Sequence, residues 1–391
     1  MEKKAVDKFV KSYSFEHFKV FDEIEKQQII SKIKNARNEI DKNYKLSKYK
    51  KKIVKKAIND LINFENKDIQ FKLRDNTIAE LESLDEDKIL EYIFHRYRYE
   101  VFPVTKEIDN FPPCLQIEPS SVCNFRCIFC FETDKSFTNK KNGFMGTMEV
   151  ENFKKIIDRA SGNVQFLTLA SRGEPLVAKS ISKMLNYTSG KFLNLKLNTN
   201  ASLLNEKICH SILSDTVGTL VISADAAEKE EYSKIRVNGN LDKIVKNLEM
   251  FNKIKEKHYK KSKIITRVSG VNFSKDQDFN KMLSFWNKYV QQIVFVKYNP
   301  WENSYNAPET NIVEPCSDLW RRMFIWWDNK ANPCDVDYKS KLKVGEFKDN
   351  LTDIWRSDEY EKLRTEHKKG LRKNFNPCKS IFFVFNITFF S

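Results

Sequence analysis

At 391 residues, 41% of them hydrophobic, the chain is too long and too apolar to be mostly disordered. It suffices for one large domain with appendages, or for two or three ordinary domains. The formal net charge of +15 comes from lysines spread along the whole sequence beside many Asn and Ile residues, so solvated lysine faces explain it better than a polyanion site. No apolar run spans a bilayer, the terminal IFFVFNITFF being about half the length required. The opening MEKKAVDKF is charged and lacks a signal-peptide core, so a cytoplasmic setting is expected. There the eight cysteines stay reduced, and clustering among them points to metal binding or catalysis rather than to disulfides.

Residues 1–108 read as a charged helical region. Ile29, Ile30, Ile33 and Ile40 recur at helical spacing, and residues 50–56 are very basic. Ala57, Leu61, Ile62 and Phe64 predict an amphipathic helix, and residues 80–94 predict another. Neither Pro nor Gly occurs before Pro103. The region carries no motif and suits a substrate-recognition appendage or a helical cap. Pro112 and Pro113 mark a boundary. Beyond it, short apolar strands are predicted at 115–117, 164–169, 193–197, 219–223, 264–268 and 293–296. Amphipathic helices such as 148–160, 241–254 and 279–289 lie between them. This alternation predicts βαβ units and a parallel sheet. The expected fold is α/β: a partial (β/α)6 parallel barrel over 109–300, an N-terminal helical appendage over 1–108, and a small cysteine-containing extension over 301–391.

The run Cys123-Asn-Phe-Arg-Cys127-Ile-Phe-Cys130 places three thiols on one loop. Iron–sulfur clusters are held by such cysteine groups, usually with four thiolates. Three leave one iron open to another ligand. Structural zinc wants four ligands, and no neighbouring His or Cys completes the set; His210 is far along the chain. An electron carrier would want a fourth cysteine just downstream. The segment 117–130, IEPSSVCNFRCIFC, resembles the signature loop of the radical S-adenosylmethionine (SAM) superfamily. As in that family it follows a strand and carries an aromatic, Phe129, before the last cysteine. The resemblance implies that Cys123, Cys127 and Cys130 hold a [4Fe–4S] cluster whose open iron is chelated by SAM. It further implies cleavage of SAM to a 5′-deoxyadenosyl radical that abstracts hydrogen from a substrate.

Three later turns extend the resemblance. Residues 170–176, ASRGEPL, are similar to the family's Gly-Gly-Glu-Pro motif, with Gly173, Glu174 and Pro175 retained and Arg172 in place of the first glycine. Asn198-Thr-Asn200-Ala201 resembles its Thr-Asn-Gly turn, with Ala201 in the glycine position. Ser223 and Asp225 match its Ser-Leu-Asp-Gly segment, and Arg236 could pair with a carboxylate of SAM. These residues, with Phe129, are the expected cofactor contacts. Taken alone, each is also an ordinary strand-end turn or helix cap.

Cys316, Cys334 and Cys378, with the Trp-rich stretch 320–327, resemble the SPASM/twitch extension of radical SAM enzymes, which carries auxiliary clusters. Asn329 stands where that family has a glycine; Asn best replaces Gly at positive φ. The order departs at Ile381, where a further cysteine is usual, so one auxiliary [4Fe–4S] cluster is expected rather than two. Cys114 and Cys209 have no spacing partners and read as buried free thiols. Such relatives modify peptides or proteins, or oxidise sugar-type small molecules, and a reductant such as flavodoxin or ferredoxin is implied. An RNA-modifying radical SAM enzyme, or a basic nucleic-acid-binding protein with a structural metal, is the alternative. No residue can be assigned a catalytic acid, base or quenching role from spacing.

Overall fold

The computed structural model describes residues 7–9, 22–44, 46–63, 71–170, 172–274, 277–298 and 301–380. The apolar tail from Ile381 lies outside them. The strands, in chain order, are β1 (Asp7–Phe9), β2 (Cys114–Ile117), β3 (Phe166–Leu169), β4 (Asn194–Thr199), β5 (Thr219–Ser223), β6 (Ile265–Asn272), β7 (Gln292–Lys297), β8 (Arg322–Ile325), β9 (Lys330–Asn332) and β10 (Gly345–Glu346). They form one ten-stranded sheet ordered β1-β7-β6-β5-β4-β3-β2-β8-β9-β10. Every pairing from β1 to β8 is parallel, and β8-β9-β10 is antiparallel. The six strands β2 to β7 are the expected partial barrel, open because β2 and β7 do not pair.

Strand alternation sets up the site. Leu115, Ile117, Leu167, Leu169, Leu195, Leu197, Leu220 and Ile222 face outward into the main apolar core, where helices such as Val150–Ala160 and Leu241–His258 cover them. The opposite faces carry Gln116, Thr168, Lys196, Asn198, Ser223 and Arg267, so the barrel lumen is lined by polar side chains. Polar groups meeting at strand C-terminal ends are where parallel α/β sheets place their ligands.

The helical region differs from expectation in two places. Asp7–Phe9 is a strand that pairs with β7 at the sheet edge. The helix expected over 80–94 is broken: α3 (Asp75–Ser83) ends, Leu84 and Asp85 are extended, and α4 (Ile89–Thr105) starts afresh. The Lys32 ammonium of α1 (Glu23–Asn38) takes the carbonyls of Leu81 and Leu84, at 2.9 and 2.7 Å, and so caps α3 from another helix. Helix α4 packs across the N-terminal ends of the strands. His95 stacks on Phe166 with ring centroids 3.8 Å apart, Arg98 donates to Gln165, and Tyr99 Oη accepts from Arg322. It therefore floors the barrel.

Because β8 pairs with β2, the cysteine-containing extension continues the barrel's sheet. Asn329, in the β8–β9 turn, has φ of 67°, the left-handed conformation for which Asn is suited. Among the described residues, no helix is long and apolar enough to cross a membrane.

Candidate active site

The three cysteines sit on the loop that follows β2. Its stem is fixed by Ser121, whose amide donates to Gly146 O (3.0 Å) and whose hydroxyl accepts from the Gly146 amide (2.7 Å). Further on, Arg126–Cys127 pairs with Arg236–Val237 as a two-stranded ribbon. Gly173 packs against the loop so closely that a Cβ there would lie 2.5–2.6 Å from the backbone of Ser121, Ser120 and Val122. Glycine is thus required for close approach of two chain segments.

Glu174 is 3% exposed and ties the next turn to this one. Its amide donates to Val122 O, while its carboxylate accepts from Leu176 N (3.0 Å), Thr199 Oγ1 (2.6 Å) and Asn200 N (2.7 Å). Burial raises its pKa, opposed by these three donors. Asn200 in turn donates to Asn124 Oδ1 (3.0 Å), between the first two cysteines. Pro175 starts the short 3-10 turn after Glu174. Ala201 takes φ of 60° at the glycine position of the turn.

Asp225 is fully buried; it accepts from Arg236 Nε at 2.6 Å and from the Val271 amide at 2.6 Å. Arg236 Nη1 is thereby aimed at Cys127 Sγ, 3.6 Å away, and the guanidinium lies 5.6 Å from the Phe129 ring centre. Phe129 also meets Phe273, at 5.4 Å. The structure therefore brings Phe129, Glu174, Asn200, Asp225 and Arg236 around the cysteine loop. Asn198 faces the lumen with a buried Oδ1 that has no partner, and Ser223 pairs in register with Ser269 on the same face.

Burial pushes the Cys123 thiol up to about 12, with the Glu174 charge adding to it. Burial also raises Cys127, against Arg236, and raises Cys130, with Cys127 adding. These thiols ionise only when a cation compensates them, as a cluster's irons do. Among the described residues, no three His, Cys, Asp or Glu side chains close on a single ion. A cube that takes one thiolate per iron asks for a different, wider arrangement, and three thiols on one loop, one buried and two partly buried, fit it.

Cys316, Cys334 and Cys378 come together from the start of a 3-10 turn, the end of the β8–β9 hairpin and the last described turn; Cys316 and Cys378 raise the pKa of Cys334, and Cys316 raises that of Cys378. Burial is the larger cause and pushes Cys378 up to about 12. The Cys316 amide donates to His367 Nδ1 at 3.2 Å, and Arg372 Nε donates to Cys378 O at 3.1 Å. Three thiols brought together, Cys378 buried and the other two partly buried, fit an auxiliary cluster. Cys209 is buried in a helix, and Cys114 faces the lumen.

Two features carry no sequence signal. Arg172, in place of the family's glycine, forms a buried bidentate pair with Glu118 (2.8 and 2.6 Å) and donates to Tyr338 O (3.0 Å) in the C-terminal extension. Lys196, an alternating polar residue on β4, is placed inside the lumen. Only the pairing of distant segments reveals either.

A partial parallel barrel with three cysteines on its first strand-end loop, and an acidic and a basic anchor on later ones, defines a cluster-dependent enzyme. The model of the radical SAM superfamily matches residues 117–285, and that of the iron-sulfur cluster-binding SPASM domain matches residues 316–380. The chain is a radical SAM enzyme with a C-terminal SPASM extension; its cofactors are a [4Fe–4S] cluster with SAM, and the extension is an iron–sulfur binding domain. It is similar to the GTP 3′,8-cyclase of Clostridium botulinum (strain Okra / Type B1), at 24% identity over 250 residues, 61% of this chain and 71% of that protein. Streptococcus suis SuiB bound to precursor peptide SuiA superposes with a TM-score of 0.51 at 15% identity, over 74% of this chain and 77% of that one. Another SuiB structure matches with a TM-score of 0.50 at 16% identity, over 93% and 90%. At such identities the structural likeness speaks for the fold.

Proposed function

We propose that the chain abstracts a hydrogen atom from a peptide, protein or sugar-type small molecule seated in the lumen of the 109–300 barrel. The observation that carries this reading is the pair of networks that converge on the cysteine loop, Glu174–Asn200–Asn124 and Asp225–Arg236–Cys127. When bound, the cluster and SAM supply a reducing electron and a 5′-deoxyadenosyl radical. Cys123, Cys127 and Cys130 would hold the cluster, and Arg236 donates toward the Cys127 sulfur, lowering the cost of its negative charge. Asn198, Asn200, Ser223 and the backbone from Gly173 to Pro175 border the space for SAM, with Phe129 as a flat apolar wall. Glu174 acts by position, since its carboxylate is spent on Leu176, Thr199 and Asn200. Helix α4, as the floor of the lumen, limits the entry of water from the strand N-terminal ends. Cys316, Cys334 and Cys378 would hold one auxiliary cluster in the 301–391 extension, and a flavodoxin or ferredoxin would deliver the electron.

The relatives agree with a substrate of this kind: one is named a GTP cyclase, and another was solved with a precursor peptide. The test is anaerobic. Reconstituted and reduced protein should convert SAM to 5′-deoxyadenosine, and SAM should perturb the cluster's EPR signal. Cys127→Ala should lose both; if it keeps SAM cleavage, the reading fails.

A further inference from the structure

Lys196 lies on β4 between Leu195 and Leu197, whose side chains enter the apolar layer beneath the helices. Alternation therefore sends the lysine into the lumen. The charged groups that act on its ammonium are Arg322 from β8, Arg267 from β6 and Asp335 from the C-terminal extension, with the Cys114 thiol of β2 beside them. Both arginines are tied down. Arg267 donates to Gln292 Oε1 at 2.9 and 2.7 Å, and Arg322 donates to Tyr99 Oη at 3.1 and 2.5 Å and pairs with Asp318 at 3.7 Å. No described residue forms a hydrogen bond or an ion pair with the Lys196 ammonium. Burial, with Arg322 next, holds its pKa down to about 8.

A partly buried ammonium in the lumen beside two guanidinium groups is an arrangement that costs stability. Asp335 acts on the ammonium without a hydrogen bond to it, and an oxyanion would supply charge-assisted hydrogen bonds. Depth matters as well. Asn198 stands two residues further along the same face, about 7 Å nearer the strand ends that carry the cysteine loop. Its Oδ1 is buried and without a partner. A molecule held at Lys196 would lie one layer below Asn198, its other end directed toward the cysteines.

We propose that Lys196, backed by the fields of Arg267 and Arg322, binds a carboxylate or phosphate oxyanion of the substrate deep in the lumen. This rests on the reading above that the lumen holds the substrate. Such an anchor selects for anionic substrates and against cationic ones. It also fixes the distance between the anchored oxyanion and the atom that gives up hydrogen.

Titration calorimetry on the reconstituted holoenzyme, with inorganic phosphate and with acetate as probes, tests the assignment. One or both should bind the wild type, and binding to phosphate alone or acetate alone names the oxyanion. Lys196→Met and Lys196→Gln should each weaken that binding about tenfold or more. Lys183→Met, at an exposed position outside the lumen, should leave it unchanged. Circular dichroism and iron content confirm that at least one of the two Lys196 variants is folded. The proposal is overturned if neither anion binds, or if a folded Lys196 variant binds as well as the wild type. Wild-type SAM cleavage is scored separately: its absence would defeat the radical reading, whereas anion binding speaks only for the lumen site.

Discussion

Replacing Arg172 with Met removes one partner of an ion pair in which the two side chains are 2% and 0% exposed. Glu118 would then be a buried carboxylate facing only the amides of residue 172 and Trp327. Breaking a buried pair in this way costs about 3–5 kcal/mol. The lost hydrogen bond to Tyr338 O adds about 1 kcal/mol. The guanidinium also lies 4.5 Å from the Trp326 ring centre, a contact worth about 1 kcal/mol. Roughly 5 kcal/mol is a large part of the 5–15 kcal/mol by which proteins are usually stable. Urea unfolding of the reconstituted protein, followed by tryptophan fluorescence, should show the loss, and Trp326 is placed to report it. Glu118→Gln keeps an acceptor while removing the charge, so the double variant should recover about 2–3 kcal/mol relative to the sum of the singles. A loss under about 1 kcal/mol in Arg172→Met would refute the view that this pair joins barrel and extension.

Gly173→Ala should cost about 2–3 kcal/mol and lower iron occupancy, because its Cβ meets backbone rather than a movable side chain; normal iron content and stability would contradict this. Cys334→Ala should remove about four iron atoms per chain and leave the signal of the Cys123 site in place, as read by iron analysis and EPR. Lys196→Met, without added anions, should stabilise the protein by about 2–3 kcal/mol at pH 7, since the folded lysine titrates near 8 and the unfolded one near 10.5. Between those values the unfolded chain binds more protons, so wild-type stability rises with pH. The variant's advantage should therefore shrink from pH 8 to 10.5, as compared by thermal unfolding; a constant difference would count against a lysine held down by its surroundings.

The sequence by itself determined what is local. Spacing within one loop presented Cys123, Cys127 and Cys130 as a set. Alternation placed the six barrel strands within a few residues, because a strand's two faces are written at period two. Asn329 was legible as a glycine substitute because backbone preference belongs to the residue itself. The helix over 80–94 was misjudged because Lys32, from another helix, takes the carbonyls that end it. Only the tertiary structure decided the rest. Arg172 and Glu118 are 54 residues apart, and nothing near either announces the other. Arg236 was legible as a carboxylate binder, yet the fold gives it Asp225 as a clamp and aims it at the Cys127 sulfur. Lys196 looks like any strand lysine until four other segments bring Arg322, Cys114, Arg267 and Asp335 around it. A side chain's charge is in the sequence, but what that charge faces is set by packing between segments that the chain holds far apart.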